Sequence, residues 1–183
     1  MTSTFTRSCA AGALLLGLAG GIGTPAWADD TDSAESKVIV LRPLSLVKDE
    51  DLDFGLIVPG TTQGFVILAP EGGVTMSGGV RALAGESQPA TFYGYGAYRQ
   101  FLRLRISANT YQLRRENGTE TMRLDRLTIS SNPQTQLTTT PRLFYIGAPD
   151  GFFSFAMGGR LRVGGNQRVG VYTGSVTVLI DYL

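Results

Sequence analysis

An all-β fold, built as an antiparallel β-sandwich, is predicted by three observations. Short runs rich in β-branched and aromatic residues recur at roughly 8–12-residue spacing, separated by Gly and Pro turns. No window of a dozen residues beyond Ala28 carries an apolar stripe of period 3.6. The last stretch alternates strictly: Tyr172, Gly174, Val176, Val178, Ile180 and Tyr182 stand between Thr173, Ser175, Thr177, Leu179 and Asp181. Period 2 with these residue types is the mark of a half-buried strand. A strand placed last, with no turn after it, is expected to find its partner elsewhere in the fold or on another molecule.

Taken in order, the chain opens with the features of an export signal. Arg7 precedes a small, apolar run from Ala10 to Ile22, and Ala26-Trp27-Ala28 supplies a small-x-small cleavage pattern. The run is too short to span a bilayer, which takes about 20 residues. Cys9 lies before the run, so it cannot be a lipid-anchored cysteine at the cleavage site. Removal of residues 1–28 is predicted, leaving 183 − 28 = 155 residues, enough for one domain with a core. The exported product is expected in the periplasm, then at the cell surface or outside the cell.

Cleavage removes the only Cys and the only Trp, and the chain has no His. Thiol and imidazole chemistry and a disulfide framework are thereby excluded from the mature chain. Of 16 basic residues Arg7 is lost, which leaves 15 against 15 acidic. A net charge near zero argues against nucleic-acid binding. No second apolar stretch is long enough to cross a membrane.

Residues 29–37 (DDTDSAESK) read as a flexible N-terminal arm, and residues 38–183 as a single β domain. Val38 to Val47 is an apolar extended stretch broken by Pro43, either two short strands or one kinked strand. Lys48 to Gly55 is a charged turn. Leu56 to Val58 and Gly64 to Leu68 are strand candidates joined by PGTTQ, and Val74 to Leu83 follows with glycine breaks. Thr91 to Phe101 sets aromatics between glycines, and Phe101 to Ser107 alternates apolar residues with arginines. Tyr111 to Arg115 and Thr121 to Ile129 flank Asn117-Gly118, which predicts a hairpin through a type I′ turn. Ser130 to Pro141 is a polar loop. Leu143 to Ile146, Gly151 to Met157 and Gly159 to Val163 are further strands, and Gly164 to Gln167 is a turn.

Candidate chemistry is sparse. Asp49, Glu50, Asp51 and Asp53 lack the spacing of a calcium loop and read as a solvated turn. The glycine-rich stretches lack the Gly-Lys-Ser/Thr of a phosphate cradle. Without His or Cys the usual nucleophile triads cannot form, and no carboxylate pair stands in a recognisable motif. No enzyme activity, metal or cofactor is expected. Phe92, Tyr93, Tyr95 and Tyr98 form a possible ligand surface for sugars, although alternate spacing also divides such residues between a core and one face.

Two resemblances arise from particular residues. Leu52-Asp53-Phe54-Gly55 and GGRLRVGGNQRVGVYTGSVTVLIDY, Gly158 to Tyr182, resemble the early and late elements of the secreted bacterial family known as domain of unknown function 4402. That resemblance implies no activity. The last strand is also similar to that of chaperone–usher pilus subunits: Gly170 fourteenth from the end, Val176, Val178 and Ile180 alternating, and Tyr182 penultimate. This implies an incomplete immunoglobulin-like, pilin-like sandwich, a periplasmic chaperone as partner, and homopolymerisation with like subunits by strand addition. The residues implicated are Gly170, Tyr172, Val176, Val178, Ile180 and Tyr182 as acceptor. Val38, Val40, Leu44 and Leu46 are the donor, with Arg42 where an apolar residue is expected. Unlike many such subunits, the mature chain has no disulfide. The expected function is a structural subunit of a surface fibre or adhesin. The alternative is a self-contained periplasmic or surface binding module, with Val38 to Val47 folded back on its own chain.

Overall fold

The computed structural model describes residues 37–82 and 87–183. The predicted signal segment 1–28, the arm through residue 36 and the predicted strand end at Leu83 lie outside the described residues.

All regular structure among the described residues is β, and every pairing is antiparallel. β1 (Ser45–Glu50) is followed by a long hairpin of β2 (Ile57–Leu68) and β3 (Val74–Ala82). The two strands predicted around PGTTQ are thus one, with a register shift between Pro59 and Gly64. Pro59 lies where β2 pairs with β3 on one side and, among the described residues, with no strand on the other, the edge setting in which proline is tolerated. A Cβ on Gly64 would stand 2.6 Å from the Ser77 carbonyl oxygen, so glycine is what lets β3 approach.

β4 (Ala90–Tyr95) and β5 (Phe101–Ile106) divide the aromatic-rich stretch between two sheets, and β6 (Thr110–Arg115) and β7 (Thr121–Ile129) form the predicted hairpin. Its turn differs in detail. Only Asn117 has a positive φ, 56°, and the Arg115 N–H bonds Glu120 O at 2.9 Å around a four-residue loop. A type I′ turn would need two positive φ values. The predicted polar loop after β7 contains a short strand, β8 (Thr135–Gln136), paired with the end of β7, and buries Leu137 to 1 % exposure. One apolar residue among eleven polar or proline neighbours left no periodic signal there.

β9 (Arg142–Tyr145) precedes β10 (Phe152–Val163), which joins the two strands predicted on either side of Gly158. β10 bridges the large sheet. Its first half pairs with β4, its second half with β2, and β7 lies along its other edge with a bulge between Gly158 and Arg160. The predicted terminal strand, in contrast, is broken. β11 (Tyr172–Thr173) pairs with β6 in the large sheet, and β12 (Val178–Tyr182) pairs with β5 in a second sheet of order β12-β5-β9. The chain changes sheets between them, where a Cβ on Gly174 would stand 2.9 Å from Gln112 O. The alternation survives the break because Tyr172, Val176, Val178, Ile180 and Tyr182 are half-buried throughout.

Ile39–Leu183 forms one compact unit. Its core draws on both sheets: Val66, Leu68, Leu124, Met157 and Leu161 from the large one, and Leu102, Leu104 and Ile106 from the small one, all within one cluster. Among the described residues no helix is long and apolar enough to cross a membrane.

Candidate functional site

The small sheet exposes an edge whose polarity follows from its register. β12 pairs with β5 as Val178↔Ile106, Leu179↔Arg105, Ile180↔Leu104, Asp181↔Arg103 and Tyr182↔Leu102. Just outside the ladder, Ser107 N–H donates to Thr177 O at 3.0 Å and Leu183 N–H to Phe101 O at 3.1 Å. In an antiparallel pair, residues that bond across alternate with residues that do not. The odd-numbered residues of β12 therefore bond β5, and the N–H and C=O groups of Val178, Ile180 and Tyr182 turn to the other edge. Among the described residues no strand pairs with that edge.

The same three residues place their side chains toward the core. Val178, Ile180 and Tyr182 are only half-buried, while their partners Ile106, Leu104 and Leu102 are fully buried. Beside the start of β12 lies a cleft of about 230 Å³, walled by Val176, Leu52 and Phe54 over a floor of Phe92, Leu124 and Met157. Lys48, Asp51 and Ser175 also line this cleft, so it is mixed in polarity. The unpaired backbone groups of β12, which follows Val176 in the chain, are what an added extended segment would bond.

Two contacts limit the far end of this edge. The Arg103 guanidinium donates to Tyr182 O through Nε at 3.2 Å and Nη2 at 2.9 Å, covering one outward carbonyl with a charge. The Tyr182 hydroxyl donates to Arg42 O at 2.7 Å and accepts the Ala97 N–H at 2.7 Å. It thus ties residue 42 to the end of β12.

The residues singled out for assembly fall into separate settings. Leu44 packs against the core and Leu46 pairs with Gly94 on β4, so both are held by their own chain. Val38 and Val40 lie outside any strand, 80 % and 89 % exposed. Gly170 precedes β11 with φ 145°, and a Cβ there would stand 2.9 Å from Arg115 Cδ. Its glycine thus has a local reason, making room for Arg115, which bonds Glu120 through Nε at 2.8 Å. That bond to the guanidinium holds the Glu120 carboxyl down at about 2, well below the usual carboxylate range. Of the acidic cluster, Asp51 pairs with Lys48, Asp53 accepts the Gly55 N–H, and Asp49 accepts the Thr91 hydroxyl.

The aromatics split by strand alternation. Tyr93 and Tyr95 lie on the outer face of β4, and Tyr95 meets Phe152 edge-on at 5.4 Å. Phe92 turns to the inner face and stacks on Phe155 at 5.1 Å, and Tyr98 sits in the β4–β5 turn under the Arg99 guanidinium. Sequence reasoning missed Phe152, whose partnership with Tyr95 needs the β4–β10 register. It placed Leu52 and Phe54 only within the Leu52–Gly55 element of the resemblance and within a charged turn, not among residues lining a cleft.

A family model described as Domain of unknown function (DUF4402) matches residues 44–182. The match begins at Leu44, the first residue packed against the core. No curated protein and no solved structure matches the chain.

Proposed function

The chain belongs to that family, Domain of unknown function (DUF4402), and we propose that it is an exported structural subunit of a surface fibre or adhesin, assembled by adding a strand to β12. The observation that carries this reading is the open edge of β12, where Val178 and Ile180 turn their N–H and C=O groups away from β5 while their side chains pack toward the core. An exposed apolar edge is an aggregation hazard unless it is covered, which is why a periplasmic chaperone and then like subunits are its proposed partners. The fold in this reading is an immunoglobulin-like sandwich short of one strand. The donor is narrower than the Val38-to-Leu46 segment: Leu44 and Leu46 stay with their own chain, so the donated residues lie before Arg42, among them the exposed Val38 and Val40.

The test is oligomerisation of the purified chain. Light scattering after gel filtration should show multimers that grow with concentration. A chain lacking residues 29–41 should stay monomeric and take up a synthetic 29–41 peptide, gaining thermal stability. A full chain that remains monomeric at every concentration, or a shortened chain that ignores the peptide, overturns the reading.

A further inference from the structure

The outer face of the large sheet, opposite the core, carries an unusual distribution of charge. Register places Arg162 of β10 directly across from Arg123 of β7, and Arg160 across from Asp125. Arg114 lies on the same outward face of β6, next to β7. Four arginines thus share this area with one carboxylate, in a chain whose acidic and basic residues otherwise nearly balance.

That carboxylate is already committed. Asp125 is 5 % exposed and accepts Arg160 Nε at 2.7 Å and Nη2 at 3.0 Å, while the Arg160 guanidinium stacks on the Phe65 ring at 4.8 Å. Arg123 reaches the same carboxylate only at 3.3 Å, and Arg162 bonds the neutral Gln63. Like charges directly opposite on neighbouring strands repel, so the Arg123–Arg162 pair favours an anion placed over it. Polar neighbours surround it: Gln112 stands across from Arg123, and Thr173 across from Arg114. At the other end of β10, on the same face, Tyr93, Tyr95 and Phe152 are exposed beside Ser154 and Asp49. Ten residues of strand separate Phe152 from Arg162, about 33 Å at the usual rise per residue.

We propose that this face binds an acidic polysaccharide, with Arg114, Arg123 and Arg162 holding its carboxylate or sulfate groups and Tyr93, Tyr95 and Phe152 packing on sugar rings further along the strip. Arginine matches planar carboxylates in a two-point fork. Hydroxyl and amide side chains suit sugar hydroxyls. Flat aromatic rings offer stacking surface without a deep apolar pocket, which favours a sugar chain over a lipid tail. The inference is independent of strand addition, because it uses the opposite face of the large sheet from the cleft beside β12.

The test uses the purified full-length chain and four probes: alginate, neutral dextran, a mixed-sequence single-stranded oligonucleotide and phosphatidylglycerol vesicles. Alginate should bind, and dextran should not. The Arg123→Gln/Arg162→Gln double variant should lose at least tenfold in affinity, and Tyr95→Ser/Phe152→Ser several-fold, with far-ultraviolet circular dichroism of both variants unchanged. Alginate affinity unmoved by the arginine pair overturns the proposal. So does tighter binding of the oligonucleotide or the vesicles than of alginate, which would mark the face as a site for those anions instead. An aromatic variant that binds like the parent overturns the assignment of the strip's second half.

Discussion

Arg115 and Glu120 close the β6–β7 hairpin, and their neighbours explain two glycines. A Cβ at Gly118 would stand 2.6 Å from Arg115 Cζ, and one at Gly170 would meet the same side chain from the other side. The ion pair has a definite pH signature. Arg115 holds the Glu120 carboxyl down from 4.5 to about 2, so its stabilising contribution is fully present above about pH 4.5 and is lost as pH falls toward 2. Melting temperature followed from pH 6 to pH 2 should therefore fall more steeply in the parent than in Glu120→Gln; parallel curves would mean the pair adds nothing. Tyr182 makes a second single-atom prediction. Its hydroxyl joins Arg42 O and the Ala97 N–H, so Tyr182→Phe should lower unfolding free energy by about 1 kcal/mol. The effect should be absent from a chain that begins after Arg42 to the extent that the Arg42 bond dominates, and a denaturant titration of the two backgrounds separates the two bonds.

At the scale of the element, β12 makes an alternating prediction. Val178 and Ile180 turn their N–H groups to an open edge, while Leu179 and Asp181 bond β5. In monomeric protein the Val178 and Ile180 amides should exchange with solvent at least tenfold faster than those of Leu179 and Asp181. Uniform protection along β12 would mean that the edge is covered in the monomer and would remove the basis for strand addition. The same element shows how far the sequence could be read. Alternation reports which face a side chain takes, and Tyr172 to Tyr182 do keep one face. It says nothing about which strand receives the hydrogen bonds, so the change of sheet near Gly174 was invisible. The Thr121–Ile129 strand was legible to the residue because Asn-Gly marked its approach and Met122, Leu124, Leu127 and Ile129 carry apolar positions on both sides of the irregularity at Asp125-Arg126, with no glycine or proline to read as a stop. β2 and β10 were each seen as two strands, because a bulge keeps the backbone extended while the glycine or proline at it reads as a stop. The arginine face depends on register across distant strands and leaves no local pattern, while Leu52-Asp53-Phe54-Gly55 was visible as an element without any sign that it would line a cleft.

At the scale of the whole fold, one core joins two sheets that, among the described residues, share no ladder. Leu102, Leu104 and Ile106 of β5 bury themselves among Val66, Leu124, Met157 and Leu161 of the large sheet. A three-stranded sheet has little interior of its own, so β12 is held in place by that shared core rather than by β5 alone. Coupling of this kind is measurable. Leu104 is 1 % exposed, and Leu104→Ala should cost about 2–5 kcal/mol through lost burial and the cavity left behind. If the core is one cooperative unit, the most protected amides of β7 and β10 should lose the same exchange free energy as those of β5. If only β5, β9 and β12 lose protection, the small sheet opens on its own. Cooperative behaviour carries a consequence for assembly. A segment bound at β12 would then stabilise the entire fold, by an amount that rises with the logarithm of its concentration above Kd. The peptide covering residues 29–41 should therefore slow exchange in β10 as well as in β12, although among the described residues β10 pairs only within the large sheet.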